Sequence, residues 1–110
     1  MLEKTLQAAW LKRLKNDLSD SFILKPTVTN LKGAPDCFIA YKSKAIFLEF
    51  KIAPNKLSPK QEFERERIEK AECLYLVIDQ NTNYQDTLKI IHKYCSWFSI
   101  EILYNKAIGG

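Results

Sequence analysis

Histidine occurs once in these 110 residues, at His92, and cysteine three times, at Cys37, Cys73 and Cys95. The thiols lie far apart, no CxxC pair is present, and an odd number does not make a disulfide framework, so neither a CxxC zinc site nor a stapled secreted scaffold is expected. Buried thiols acting as small hydrophobes are expected instead. No apolar run approaches the roughly 20 residues of a membrane span. The opening MLEKTLQAAW has no signal-peptide apolar region, and a reduced, cytoplasmic setting is expected. Internal repeats, linkers and low-complexity segments are absent too. His92 has no partner of its own kind, and its helical setting away from the other polar features makes it a surface or interface residue.

What remains is a globular composition, 46% hydrophobic and 27% charged, large enough for one domain over residues 1–110 with a single core. The net charge of +4 is unevenly spread. Residues 1–70 hold 14 Lys/Arg against 9 Asp/Glu, and residues 71–110 hold 3 against 4. A basic portion of this size is compatible with a polyanionic partner such as nucleic acid.

Periodicity gives the elements. Leu2, Leu6, Ala9, Trp10, Leu14 and Leu18 recur at helical spacing. FILKPTVTN reads as an edge or bent strand, because Pro26 cannot donate to a ladder. CFIAYK and KAIFLEFKI read as two strands joined by a tight turn near Ser43. SPKQEFERERIEKA is a helix whose start is written in Ser58, Pro59 and Gln61, an N-cap, a first-turn proline and the partner of a capping box. CLYLVID is a short buried strand, YQDTLKIIHKYCSW an amphipathic helix and FSIEILY a last strand. The order αβββαβαβ implies an α/β fold, a mixed sheet flanked by helices on both faces. Trp10, Trp97 and Phe98 are expected in the core, or in a patch that a second copy covers.

Three side chains do not fit apolar strand. Glu49 and Lys51 are two apart and leave the same face. Asp36 sits at the mouth of the preceding strand, after Gly33, Ala34 and Pro35, and a hairpin about Ser43 would set it nearly opposite Lys51. Two close carboxylates repel unless a cation joins them. Lys51 supplies one charge, and carboxylate oxygens with water are the ligands that Mg²⁺ or Mn²⁺ prefer. Such an ion polarises a phosphoryl oxygen and lowers the pKa of bound water, which is the apparatus for hydrolysing a phosphodiester. An isolated ExK is more often a solvated ion pair, and PD is commonly a turn; the order and spacing carry the argument.

GAPD, a strand-length gap, LEFK, and then LSPKQ opening a helix resembles the PD-(D/E)xK nuclease superfamily, with a restriction-endonuclease-like core. The pattern is most similar to its virus-type replication-repair nuclease group (VRR-NUC), akin to Holliday junction resolvases. The matched stretch runs from Gly33 to Gln61. The resemblance implies that Asp36 and Glu49 bind Mg²⁺ or Mn²⁺, with the backbone carbonyl of Phe50 as a further ligand. It implies that Lys51 positions the attacking water and that Gln61 contacts Lys51 or a substrate phosphate. Glu3 is similar to the acidic residue such nucleases carry in their first helix; alternatively it favours its own helix N-terminus.

Lys32, Lys56 and Lys60 flank the motif in loops and at the helix start, where they would meet DNA backbone or serve solubility. Arg65, Arg67 and Lys70 alternate with glutamates and read as solvated helical ion pairs. The activity implied is that of a metal-dependent DNA endonuclease, a homodimer acting on branched DNA, with a phage or mobile-element origin. A nickase or flap nuclease would use the same residues. A catalytically silent nucleic-acid-binding module of the same fold would be expected to have lost at least one of them.

Overall fold

The hairpin at the centre of the sheet is set by two residues. In the computed structural model, which describes residues 1–26 and 30–96, Lys42 and Ser43 both have left-handed backbone, φ 48° and 66°. Strands β2 (Cys37–Tyr41) and β3 (Lys44–Phe50) therefore close through a two-residue loop whose twist matches their own, with Tyr41 opposite Lys44. Strand β1 (Phe22–Leu24) pairs antiparallel on the outer side of β2. Helix α2 (Pro59–Lys70) then carries the chain to β4 (Leu74–Ile78), which runs parallel to β3. The result is a four-stranded mixed sheet in the order β1-β2-β3-β4. Helix α1 (Glu3–Asp17) precedes it and α3 (Tyr84–Ser96) follows. The expected last strand, with Trp97 and Phe98, lies outside the described residues.

The strands' two-residue period sorts the side chains. Ile39 of β2, Ile46, Leu48 and Phe50 of β3, and Ile78 of β4 are fully buried and share one face. Leu6, Trp10, Leu11 and Leu14 of α1, the following Leu18, and Tyr84, Ile91 and Cys95 of α3 pack onto that face as one core. Arg13 stacks its guanidinium 3.6 Å from the centre of the Tyr84 ring, and Tyr84 donates to Asp17 at 2.7 Å, so the two helices are joined by polar contacts too. The expected stripe on α1 is corrected at two positions. Leu2 is the N-cap, outside the first turn, and is 72% exposed; Ala9 also faces outward, and Leu11 takes the buried place beside Trp10.

Cys37 and Cys95 are buried and reduced, and Cys73 is half-buried. Burial pushes the Cys37 thiol up to about 11, which keeps it protonated and inert near neutral pH. Among the described residues no helix is long and apolar enough to cross a membrane.

Candidate active site

The opposite face of β3 carries Phe47, Glu49 and Lys51, and α2 lies over it. Helix α2 starts where the sequence places its signals. Ser58 Oγ accepts from the Gln61 N–H at 3.2 Å, and Gln61 Oε1 accepts from the Ser58 N–H at 2.8 Å, with Pro59 in the first turn. Using its oxygen in the cap leaves the Gln61 amide nitrogen free to point at the sheet. Gln61 Nε2 donates to Glu49 Oε1 at 2.9 Å. One glutamine thus starts the helix and holds the carboxylate.

Asp36 completes the cluster. The β2–β3 register pairs Cys37 with Leu48, and continued by one residue it sets Asp36 opposite Glu49. This corrects the expectation that Asp36 would face Lys51: the two-residue turn is centred between Lys42 and Ser43, which moves the register by two. Asp36 Oδ2 accepts from the Phe50 N–H at 2.8 Å, and Glu49 Oε2 accepts from the Asp36 N–H at 3.2 Å. Each carboxylate is held by the other's strand. The loop leading to Asp36 is fixed in turn by Gly33, which at φ 82° packs against the backbone of Lys60.

The electrostatics of this cluster are unusual. Glu49 is 2% exposed. Burial, then the nearby Asp36 carboxylate, pushes the Glu49 carboxyl up to about 8, while Lys51 pulls in the opposite direction. Lys51 is half-buried at the end of β3, and its N–H donates to the Ile78 carbonyl at 2.9 Å, which fixes the backbone that carries it. Tyr75, on the same face of the sheet, is buried with a hydroxyl that has no hydrogen-bond partner among the described residues; burial first and Glu49 second raise its pKa.

A raised carboxyl pKa has a defined consequence for stability. Between its ordinary value of 4.5 and about 8, the folded chain holds a Glu49 proton that the unfolded chain releases. Glu49's contribution is therefore fully present below 4.5 and lost as pH rises through about 8. In EDTA, the melting temperature of the wild type should fall relative to that of Glu49→Gln as pH rises across this window. Parallel melting curves for the two proteins would contradict the raised value.

Metal-binding capacity rests on few groups. Glu3 is exposed in the first turn of α1. Among the described residues no three His, Cys, Asp or Glu side chains are grouped as a metal site, so the structure brings Asp36 and Glu49 together and leaves Glu3 apart. The donor set still suits a hard divalent ion, because two adjacent carboxylates, one of them buried, are short of positive charge. The Phe50 side chain is fully buried on the core side, so only its backbone faces the carboxylates.

Helix α1 does reach this region through residues the sequence reading passed over. Lys4 and Gln7 line a cavity of about 480 Å³ together with Lys25, Pro35 and Asp36. Lys4 and Gln7 are three apart on a helix, a spacing that places them on one face, but nothing local in the sequence ties that face to Asp36. Of the three expected DNA-contacting lysines, Lys32 and Lys60 line one groove; Lys56 is exposed in the loop before α2. A larger, more apolar cavity of about 810 Å³ opens near Lys44, Leu74, Ile90 and Tyr94, at the other end of the sheet from the carboxylates.

A solved structure described as a VRR-NUC domain matches this chain with a TM-score of 0.65. The match covers 87% of this chain and 97% of that one, at 22% identity. This chain has the VRR-NUC fold. The restriction-endonuclease-like architecture expected from GAPD, LEFK and LSPKQ is thereby borne out. No family model matches the chain, and no curated protein does. Within the VRR-NUC fold, the carboxylate pair sits where β2 begins and β3 ends, beneath the first turn of α2.

Proposed function

We propose that this chain is a metal-dependent endodeoxyribonuclease that hydrolyses phosphodiester bonds in branched DNA. The observation that carries the proposal is the hydrogen-bonded set Asp36, Glu49 and Gln61 on a VRR-NUC fold. Asp36 and Glu49 would hold Mg²⁺ or Mn²⁺, with the Phe50 carbonyl beside them and Glu3 as a further carboxylate if α1 brings it closer on substrate binding. When bound, the ion supplies Lewis acidity and lowers the pKa of a coordinated water.

The chain's own groups do the rest. Gln61 orients Glu49 by donating to Oε1, so that the other oxygen is directed toward Asp36. Lys51 presents its ammonium to the same face and stabilises negative charge as water attacks the phosphorus. Lys32, Lys56 and Lys60 contact phosphates outside the scissile one. Two copies related by a two-fold axis suit a four-way junction, where two strands are cut symmetrically, and a homodimer is therefore proposed.

The test is incubation of the purified protein with labelled four-way junction, flap and duplex DNA in Mg²⁺, Mn²⁺ or EDTA. Paired, metal-dependent cuts on the junction support the whole proposal. Cutting of flap or duplex alone keeps the chemistry and discards the junction preference. DNA binding without cleavage in either metal overturns the enzyme reading in favour of a silent binding module.

A further inference from the structure

Helix α2 is almost entirely polar, and the one aromatic it carries is turned outward. Gln61, Glu64, Arg65 and Ile68 form its buried or half-buried face, while Phe63 is 59% exposed. Phe63 has not been placed in an empty surface. It lines a groove of about 590 Å³ whose other wall is the loop Asn30–Lys32, with Lys60 and Arg67 beside it. Arg67 lies with its guanidinium carbon 5.9 Å from the centre of the Phe63 ring. From the sequence Arg67 reads as one of several solvated ion pairs. In the fold it is held by Glu64, which is 6% exposed, through Nη1 at 3.0 and 3.4 Å, and its own side chain stays 60% exposed. Nη1 is anchored on Glu64, which leaves guanidinium donors over, and Arg67 itself lines the groove.

We propose that this groove binds an unpaired nucleotide of the substrate, with its base stacked on Phe63 and its flanking phosphates held by Lys32, Lys60 and Arg67. The charges favour this occupant: three cations against one carboxylate, and that carboxylate already paired. The aromatic excludes a plain duplex as the preferred occupant, because bases inside a duplex are already stacked and offer a protein only phosphate and groove edges. A ring set among cations is the arrangement by which single strands are bound without regard to sequence.

Position ties the groove to the carboxylates. Lys32 lies four residues before Asp36, at most about 14 Å of extended chain, and Lys60 and Phe63 flank Gln61 in sequence. This inference rests on the nuclease reading for its meaning and narrows the substrate to DNA with single-stranded nucleotides next to the scissile phosphate, such as a flap or an opened branch. Its test needs no cleavage.

Binding of a labelled oligothymidylate of about 10 nucleotides, and of blunt duplex, is measured by fluorescence anisotropy in EDTA. Phe63→Ala should weaken single-strand binding by about 5- to 150-fold, the range for loss of one stacked base, and lower the ratio of single-strand to duplex affinity. Phe63→Trp should restore it. Lys60→Ala should weaken both DNAs and reduce the salt dependence by roughly one released counterion. An unchanged single-strand affinity in Phe63→Ala overturns the proposal. So does the same loss on both DNAs with a change in sedimentation, which would make Phe63 a contact between two copies. Cleavage by the wild type, scored separately against Lys51→Ala, decides the nuclease reading whichever way Phe63 falls.

Discussion

Lys51→Ala should lower the rate of metal-dependent DNA cleavage by about 10²- to 10⁴-fold, the usual worth of a positioned proton-transfer or charge-stabilising group. The expectation comes from where the ammonium sits. Lys51 follows β3 directly and leaves the sheet on the same face as Glu49, two residues away. It is the cation that opposes the upward shift of the Glu49 carboxyl, so its removal deprives the carboxylates of positive charge and, in the mechanism proposed above, takes away the group that meets the attacking water. The fold should tolerate the change, because the structural tie at this residue is a backbone N–H to the Ile78 carbonyl, which alanine retains. Lys51→Arg separates charge from shape. It keeps a cation near Glu49 but replaces a compact donor with a planar fork, and partial activity is expected. Single-turnover rates of the three proteins at saturating DNA measure this; equal rates for wild type and Lys51→Ala would remove Lys51 from the chemistry.

Gly33→Ala should have the largest effect on stability of any change to a single exposed or half-exposed residue near the site, about 2–4 kcal/mol. Two independent costs meet there. The backbone is at φ 82°, where an L side chain is strained. A methyl at this position would lie 2.6 Å from the Lys60 carbonyl oxygen, 2.7 Å from its carbon and 3.0 Å from the Gln61 nitrogen. Those atoms belong to the first turn of α2 and cannot swing aside as a side chain would. The turn and the Gly33–Asp36 loop must therefore separate, which pulls Gln61 from Glu49 or Asp36 from the Phe50 N–H. Cleavage should fall with stability, by roughly 100-fold for a displacement of about 1 Å at a catalytic group. Urea unfolding and cleavage rates together test this: a loss under 0.5 kcal/mol with full activity would show that the loop and helix are not in register through Gly33.

Much of this was legible in the sequence. The Ser58–Gln61 capping box, the tight turn near Ser43, and the alternation of Ile46, Leu48 and Phe50 against Glu49 are local patterns, and local patterns survive folding when each agrees with the others. The pairing of Asp36 with Glu49 needed the hairpin register, and a shift of one residue in the turn's centre, two in the register, was enough to misplace it opposite Lys51. Both roles of Gln61 were expected, the cap from its local spacing and a site contact from the resemblance, but the expected partner was Lys51 or a phosphate; the bond to Glu49, 12 residues away, was not legible. Lys4 and Gln7 beside Asp36, and the burial of Glu64 in its pair with Arg67, came from the packing of helices on the sheet, which a sequence period does not report. Glu3 was legible as a first-helix glutamate, whereas the residues of that helix that line the cavity beside Asp36, namely Lys4 and Gln7, were not.

The most direct test of the account is Mn²⁺ binding by isothermal titration calorimetry near pH 7 in two buffers of different ionisation enthalpy, with Glu49→Gln alongside. One ion per chain with release of a proton is expected for the wild type, because ligation must displace the proton that burial and Asp36 keep on Glu49. Glu49→Gln should bind far more weakly and release none. No binding by the wild type, or the same binding and proton release by both proteins, would contradict the claim that Asp36 and Glu49 form a metal site for phosphodiester hydrolysis.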